Sequence, residues 1–236
     1  MIKIELHCHE VSLSPCATSR YKDAIDESKS SGYGAVVITN HYSKYVYSIW
    51  KGQTHEEKMQ FFLSNYYQVK EYGKNQGLKV FIGVEVRDRT GTEYMLYGFK
   101  PEFLLECPPL FELDQKELFD LANRYGLFMY QTHPFRKGVT AGDPKYLHGA
   151  ESFNGHYHHD NNNKEANAFC EKNNLIKMSG TDYHHEGQPF TGGAYIPENI
   201  EDELALKEYI MSGKMQLITN EDGYVKGRME YLRSIK

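Results

Sequence analysis

Ile2-Lys3-Ile4-Glu5-Leu6-His7-Cys8-His9 is the stretch around which the chain is organised. The apolar residues Ile2, Ile4 and Leu6 predict a short buried strand. Alternate side chains of a strand share a face, so His7 and His9 point the same way from its end. Two imidazoles projecting together from a rigid strand end make half of a metal site. A pair of surface or core histidines would look the same in isolation, so the rest of the chain must decide.

Working outward, Thr18 or Ser19 can cap a helix that runs to about Ser31, with Ala24, Ile25 and Ser28 inward and Gly32 and Gly34 as its stop. Ala35-Val36-Val37-Ile38-Thr39 reads as a strand buried on both faces, with Asn40-His41 at its end. Tyr42 to Gln53 reads as a long polar and aromatic loop, of the kind that builds a site or packs on a rim. Thr54 starts a longer helix with Phe61, Phe62, Tyr66 and Val69 on one face. Lys79 to Glu85 is a third strand, and Glu93 to Phe99 is a hairpin partner or the next strand. Asp114 caps a helix that Gly126 closes, and Leu127 to Gln131 is a strand ending at Thr132-His133-Pro134. A shorter strand spans Gly149 to Asn154, followed by a polar loop with His156, His158 and His159 and a helix from Lys164 to Asn173. Ile176 to Ser179 leads into Gly180-Thr181-Asp182-Tyr183-His184-His185. A helix from about Glu201 to Met211, a strand near Gln216-Leu217-Ile218 and a charged end complete the chain.

This alternation of strand and helix predicts a mainly parallel sheet. His7, His9, His41, Glu85, His133, Asp182 and His184 all fall at strand C-terminal ends. In an α/β barrel those ends converge on one face, where active sites lie. Scattered structural histidines have no reason to choose that position each time.

The bulk properties set limits. With 236 residues and no composition break, the expectation is one domain over 1–236. A net charge of -5 offers no attraction to a nucleic acid backbone or an anionic membrane. No apolar run approaches a membrane span, and the start lacks a signal-peptide pattern. Cys8, Cys16, Cys107 and Cys170 form no C-x-x-C pair, which points to a reducing cytoplasm.

Taken together, His7-x-His9, Ile38-Thr39-Asn40-His41, Gly83-Val84-Glu85, His133-Pro134, Glu151-x-x-Asn154 and Gly180-Thr181-Asp182-x-His184 resemble the PHP family, named for polymerase and histidinol phosphatase domains. The six pieces span almost the whole chain in the family's order, and Ser14-Pro15-Cys16 resembles a subgroup. The resemblance implies an α/β fold: a distorted, TIM-like barrel of seven βα units. It also implies two or three divalent metals (Zn, Mn or Fe) at the C-terminal rim of the strands. By motif, His7, His9, Glu85 and Asp182 would hold one ion. Glu85 would bridge to a second, with His133 as a further ligand, and His41 and His184 would serve a third.

The chain departs from that pattern in three places. Asn40 stands where many members have Asp. Ser14-Pro15-Cys16 stands where many have an Asp or His ligand, and Glu93-Tyr94 where many have a His on the strand after the bridging Glu. Two filled metal positions, or weak filling of one, therefore fit the sequence as well as three. Cys16 could ligate as a thiolate or simply be buried, and Glu93 or Tyr94 could substitute for the absent His.

The implied activity is hydrolysis of a small phosphorylated metabolite, a phosphomonoester or phosphodiester, by a metal-activated hydroxide. Asp182 would be the catalytic proton acceptor as well as a ligand. Arg136, and after it Arg87, would grip the phosphate, because a planar guanidinium fork matches phosphate oxygens. Glu151 is read as a support for the ligands and Asn154 as an orienting group. The His156–His159 loop either moves protons or is solvated, and the second reading is favoured. Membrane partners are excluded and nucleic acid is not expected. The alternatives are a metal-dependent amidohydrolase and a catalytically weakened metal-binding interaction module.

Overall fold

The computed structural model describes residues 1–235. Its elements run β1 (Ile2–Cys8), α1 (Tyr21–Ser30), β2 (Tyr33–Ile38), β3 (His41–Tyr42), α2 (Lys44–Ile49), α3 (His55–Asn75), β4 (Lys79–Ile82), β5 (Val84–Arg87) and β6 (Glu93–Tyr97). They continue with α4 (Phe103–Glu106), α5 (Gln115–Tyr125), β7 (Phe128–Gln131), β8 (Gly149–Asn154), α6 (Asn163–Asn173) and β9 (Ile176–Gly180). The last are β10 (Gly192–Ile196), α7 (Glu203–Met211), β11 (Gln216–Thr219) and α8 (Glu221–Ser234).

The strands form two mixed sheets. One has the order β11-β10-β1-β2-β4, the other β3-β5-β6-β7-β8-β9. Neighbouring sheets share strand paths: Thr39-Asn40 alone separates β2 from β3, and Gly83 alone separates β4 from β5. A side chain at Gly83 would collide with the Tyr97 ring, so the strand bends where only glycine fits. A bridge between Cys8 and Tyr183 links the end of β1 to the segment after β9.

The apolar run of β2 is buried on both faces, as its unbroken pattern predicts. Ala35 and Val37 join an inner cluster with Ile4, Leu6, Phe81, Tyr97 and Tyr130. Val36 and Ile38 join an outer cluster with Ile25, Val80, Phe62 and Val69 beneath α1 and α3. Each fully buried side chain of this size contributes about 1.5–3 kcal/mol of transfer free energy.

Local chemistry explains the helix ends. Thr54 and Glu57 form a reciprocal capping box at the start of α3, and Asp114 and Glu117 do so for α5. Gly126 closes α5 in the left-handed conformation. For α1 the cap is Arg20 rather than Thr18 or Ser19: its guanidinium folds onto Asp23, with Nε donating at 2.8 Å and Nη2 at 3.0 Å.

Two expectations need correction. The sheet is mixed rather than mainly parallel, because β6 runs antiparallel to both β5 and β7, and β10 runs antiparallel to β1. The connection from β5 to β6 is five residues folded around Asp88, whose Oδ1 accepts from the backbone of Thr90 and Thr92; a link that short can only join antiparallel strands. The stretch from Tyr42 to Gln53 is not all loop. Ser43 caps α2 by accepting from Val46 N–H, and Tyr42 and Trp50 pack into the core beside Phe62 and Phe111. The charged end of the chain is the helix α8.

Candidate metal centre

The strand ends bring the seven candidate ligands together. His7 and His9 leave the end of β1, and His41 on β3 lies directly opposite Glu85 on β5. His133 follows β7, and Asp182 and His184 follow β9. Gly180 permits this convergence, since a Cβ there would sit 2.4 Å from His7 Cβ. His133 and Asp182 are held at positive φ, 32° and 53°, a region that costs a side-chain-bearing residue about 1–3 kcal/mol.

Glu85 is the hub. Its Oε1 lies 3.3 Å from His7 Nε2 and 3.2 Å from His133 Nε2; its Oε2 lies 3.4 Å from His9 Nε2 and 2.8 Å from His41 Nδ1. Asp182 Oδ1 stands 3.4 Å from His7 Nε2, 3.5 Å from His9 Nε2 and 3.3 Å from His184 Nδ1. Yet Nε2 of His7 and His9 and both oxygens of Glu85 make no hydrogen bond although they are buried. Unsatisfied polar atoms cost about 1–3 kcal/mol each, so such a concentration calls for a ligand that satisfies them together. Imidazole nitrogens and carboxylate oxygens facing one space at these distances are a donor set for divalent cations. The residues therefore fit the ions that the motifs imply.

A surrounding layer fixes which nitrogen of each ring faces inward. His7 Nδ1–H donates to Glu151 Oε1 at 2.7 Å, which turns Nε2 toward Glu85 and Asp182. Glu151 Oε2 accepts from His133 N–H at 2.7 Å and Asn154 Nδ2 at 2.9 Å, so Glu151 supports the ligands from behind. Ser14 does the same for His9. Its hydroxyl donates to Asn40 Oδ1 at 2.9 Å, so it can accept from His41 N–H at 3.0 Å and from His9 Nδ1 at 3.2 Å. Asn40 is a strut: Nδ2 donates to Glu10 Oε1 and Oδ1 accepts from Glu10 N–H.

Of the two residues offered for the missing strand histidine, Tyr94 is buried in the apolar cluster beneath the sheet. Glu93 is the one at the site: its Oε2 lies 3.6 Å from His133 Nε2, and it groups with His41 and Glu85. Cys16 is exposed at the cavity edge rather than buried. Partial burial opposes its ionisation, but hydrogen bonding toward His184 and His41 brings the thiol down to about 6.

The cluster opens into a cavity of about 330 Å³ lined by His133, Arg136, Asp182, His184 and the histidines of the 155–163 loop. Arg136 Nη2 donates to Asp182 Oδ2 at 2.5 Å and Asn154 Oδ1 at 3.0 Å, and Nε donates to Asn161 Oδ1 at 2.8 Å. Its Nη1 has no protein partner among the described residues. Arg87 is elsewhere. It lines a neighbouring cavity of about 770 Å³ with Lys44, Tyr45 and Arg89, and the two cavities share Cys16, His41 and Glu93. His156 is buried, with Nδ1 bonded to the Asp182 carbonyl at 2.7 Å, so this part of the loop is site wall rather than a solvated turn.

Electrostatics follow from the packing. Burial disfavours charge on His7 and His41, but carboxylates prevail: Asp182, Glu151 and Glu85 hold His7, and Glu85 holds His41, well above the imidazole range. Burial likewise opposes ionisation of Glu85 and Asp182, yet the imidazoles around them, and Arg136 beside Asp182, hold both well below the usual carboxylate range. His9, buried and facing His41 and His184, is pushed well down. His184 is raised to about 9, burial opposing and Asp182 prevailing.

No family model and no curated protein matches the sequence. In structure the chain is similar to PsfC from Pseudomonas syringae PB-5123, with a TM-score of 0.69 at 17% identity over 100% of each chain. It is similar to a two-domain protein containing a predicted PHP-like metal-dependent phosphoesterase from Bacteroides vulgatus ATCC 8482, with a TM-score of 0.65 at 17% identity, over 97% of this chain and 69% of that one. It is also similar to Endonuclease Q in complex with a 27-mer duplex substrate bearing an abasic lesion at the active site, with a TM-score of 0.59 at 11% identity, over 91% of this chain and 58% of that one. In fold, the chain stands with the PHP-like proteins that its motifs resemble.

Proposed function

We propose that the protein is a metal-dependent hydrolase of a small phosphorylated substrate. The observation that carries this reading is the group of buried, unpartnered imidazole and carboxylate atoms around Glu85, with the free Nη1 of Arg136 on the same cavity. His7, His9, Glu85 and Asp182 would hold one ion, Glu85 and His133 a second, and His41 with His184 a third. Glu93 would complete the position that lacks its strand histidine. Bound Zn, Mn or Fe would supply Lewis acidity and an acidified water.

The chain's own groups do the rest. Glu151 and Ser14 hold the rings of His7 and His9 in one tautomer. Asn154 and Asn161 fix Arg136, whose unused Nη1 would take a phosphate oxygen and neutralise charge that develops on the transferring group. Asp182 would accept the proton of the attacking water, a role that a bound ion would ease by acidifying that water. The larger cavity, with Arg87, Lys44 and Tyr45, would receive the body of the substrate.

We also read the two sheets as one distorted barrel of seven strand paths, β2 running into β3, β4 into β5, and β9 meeting β1 at the Cys8–Tyr183 bridge. The acidic net charge favours a small substrate over nucleic acid, and the four free cysteines suit a cytoplasmic setting.

The test is metal content together with hydrolysis of p-nitrophenyl phosphate and its bis-ester in Mn²⁺ or Zn²⁺. Two or more ions per chain are expected, and His9→Ala and Asp182→Ala should each lower hydrolysis by at least about 10³-fold. Metal binding with cleavage of an amide and of no phosphate ester would move the assignment to carbonyl chemistry. A folded chain that takes up no metal would end it.

A further inference from the structure

The mouth of the same cavity carries a second histidine cluster that the proposed hydrolysis does not use. His156, His158 and His185 each offer a ring nitrogen, and these atoms lie within 4.8 Å of one another. The rings are already arranged. His156 donates its Nδ1–H to the Asp182 carbonyl, so its Nε2 carries the free lone pair. His185 Nδ1 lies 3.0 Å from Thr18 Oγ1, which can accept its proton and leave Nε2 free in turn. His158 is stacked between His185, at 4.7 Å and 27°, and Tyr231 of α8, at 4.0 Å and 23°. A backbone carbonyl, a hydroxyl and an aromatic stack are the kind of outer contacts that orient metal-binding imidazoles.

We propose that His156, His158 and His185 form an additional cation site, separate from the Glu85 centre, that takes a borderline divalent ion such as Zn²⁺. Three imidazole nitrogens with no carboxylate select Zn²⁺, Ni²⁺ or Cu²⁺ over Mn²⁺ and Mg²⁺, which prefer oxygen ligands. Three protein ligands leave a fourth position open. The three residues line the same cavity as Arg136, so an ion there adds a positive charge at the entrance to the Glu85 centre. His156 also lies within ligand distance of Asp182 and His184, so the competing arrangement draws His156 toward the Glu85 centre, the floor of the cavity, and leaves His158 and His185 unused.

The whole chain, stripped with EDTA, is titrated with Zn²⁺ and separately with Mn²⁺, and bound metal is counted after equilibrium dialysis. His158→Ala and His185→Ala should each lose one equivalent of Zn²⁺, with Mn²⁺ uptake unchanged. His9→Ala should lose floor ions and keep the mouth equivalent, with Zn²⁺ preferred over Mn²⁺ there by at least about 100-fold. Both His158 and His185 are partly exposed, and a melting curve of each variant verifies folding. Undiminished Zn²⁺ uptake in both mouth variants would overturn the site, as would a mouth dissociation constant in His9→Ala weaker than about 1 mM. Failure of the floor centre shows differently, as a His9→Ala protein with the same metal content as the parent.

Discussion

On the floor of the cavity five imidazoles surround two carboxylates; at its mouth three imidazoles surround none. Apart from His9, which burial and its cationic neighbours push down, the shifted histidines of the two clusters are therefore placed in opposite electrostatic states. On the floor, Asp182 and Glu85 keep protons on His7, His41 and His184 until a cation replaces them. At the mouth, burial pushes His156 well down, lowers His158 and takes His185 to about 4. An ion entering the floor must displace protons, and one entering the mouth finds bare rings. What distinguishes the two clusters is not the count of histidines but whether an anion stands among them.

The sharpest way to break this comparison is Glu85→Gln. Removing the shared carboxylate should lower phosphate-ester hydrolysis by at least about 10³-fold and empty the floor, while one Zn²⁺ remains at the mouth. Loss of every ion together would show that the clusters are one site. Acidification should separate them next. His7, His41 and His184 hold protons that an ion must displace, so between pH 8 and pH 6 floor affinity for Zn²⁺ should fall by at least about 100-fold while the mouth changes by less than about threefold. Equal losses, measured by calorimetry on His9→Ala and His158→Ala, would contradict the assigned charge states.

The smallest effect concerns a carboxylate beneath the floor that has no imidazole facing its free oxygen. Glu5 Oε1 accepts from the backbone of His7 and Thr181, Oε2 has no partner, and burial raises the group from 4.5 to about 7. The folded chain then keeps a proton that the unfolded chain loses as pH rises above 4.5. Stability falls through the window from about 4.5 to 7 and stays reduced above it. Glu5→Gln should therefore stabilise the EDTA-treated protein by about 1–3 kcal/mol at pH 8 and by much less at pH 4.5. Denaturant titration at the two pH values measures it, and a pH-independent difference would show that Glu5 is ionised in the fold.

Much of the floor was legible in the sequence because strand alternation fixes direction. Once His7 and His9 share a face and the other ligands sit at strand ends, convergence follows from the parallel segments. The role of Glu93 was not decidable in that way. It depends on the antiparallel register that pairs it with Arg87, which a five-residue turn creates and periodicity does not reveal. Ser14 acts from a loop, where no period exists, although a small hydroxyl five residues after His9 is a signal one could look for. β10 was missed because Gly192-Gly193-Ala194 lacks the bulky alternation of a strand; Gly192 packs against the Gly180 backbone where a side chain would not fit. The mouth cluster was hidden because it joins two loops whose approach depends on the hydrogen bond from His156 to Asp182.

The left-handed backbone at His133 and Asp182 also says how this protein should respond to selection. Glycine would relax both positions and asparagine would relax the second, so the fold on its own would be better served by other residues there. Thermostability screens run without an activity readout would enrich replacements at these two positions. Such gains would accumulate in variants that no longer bind the floor ions.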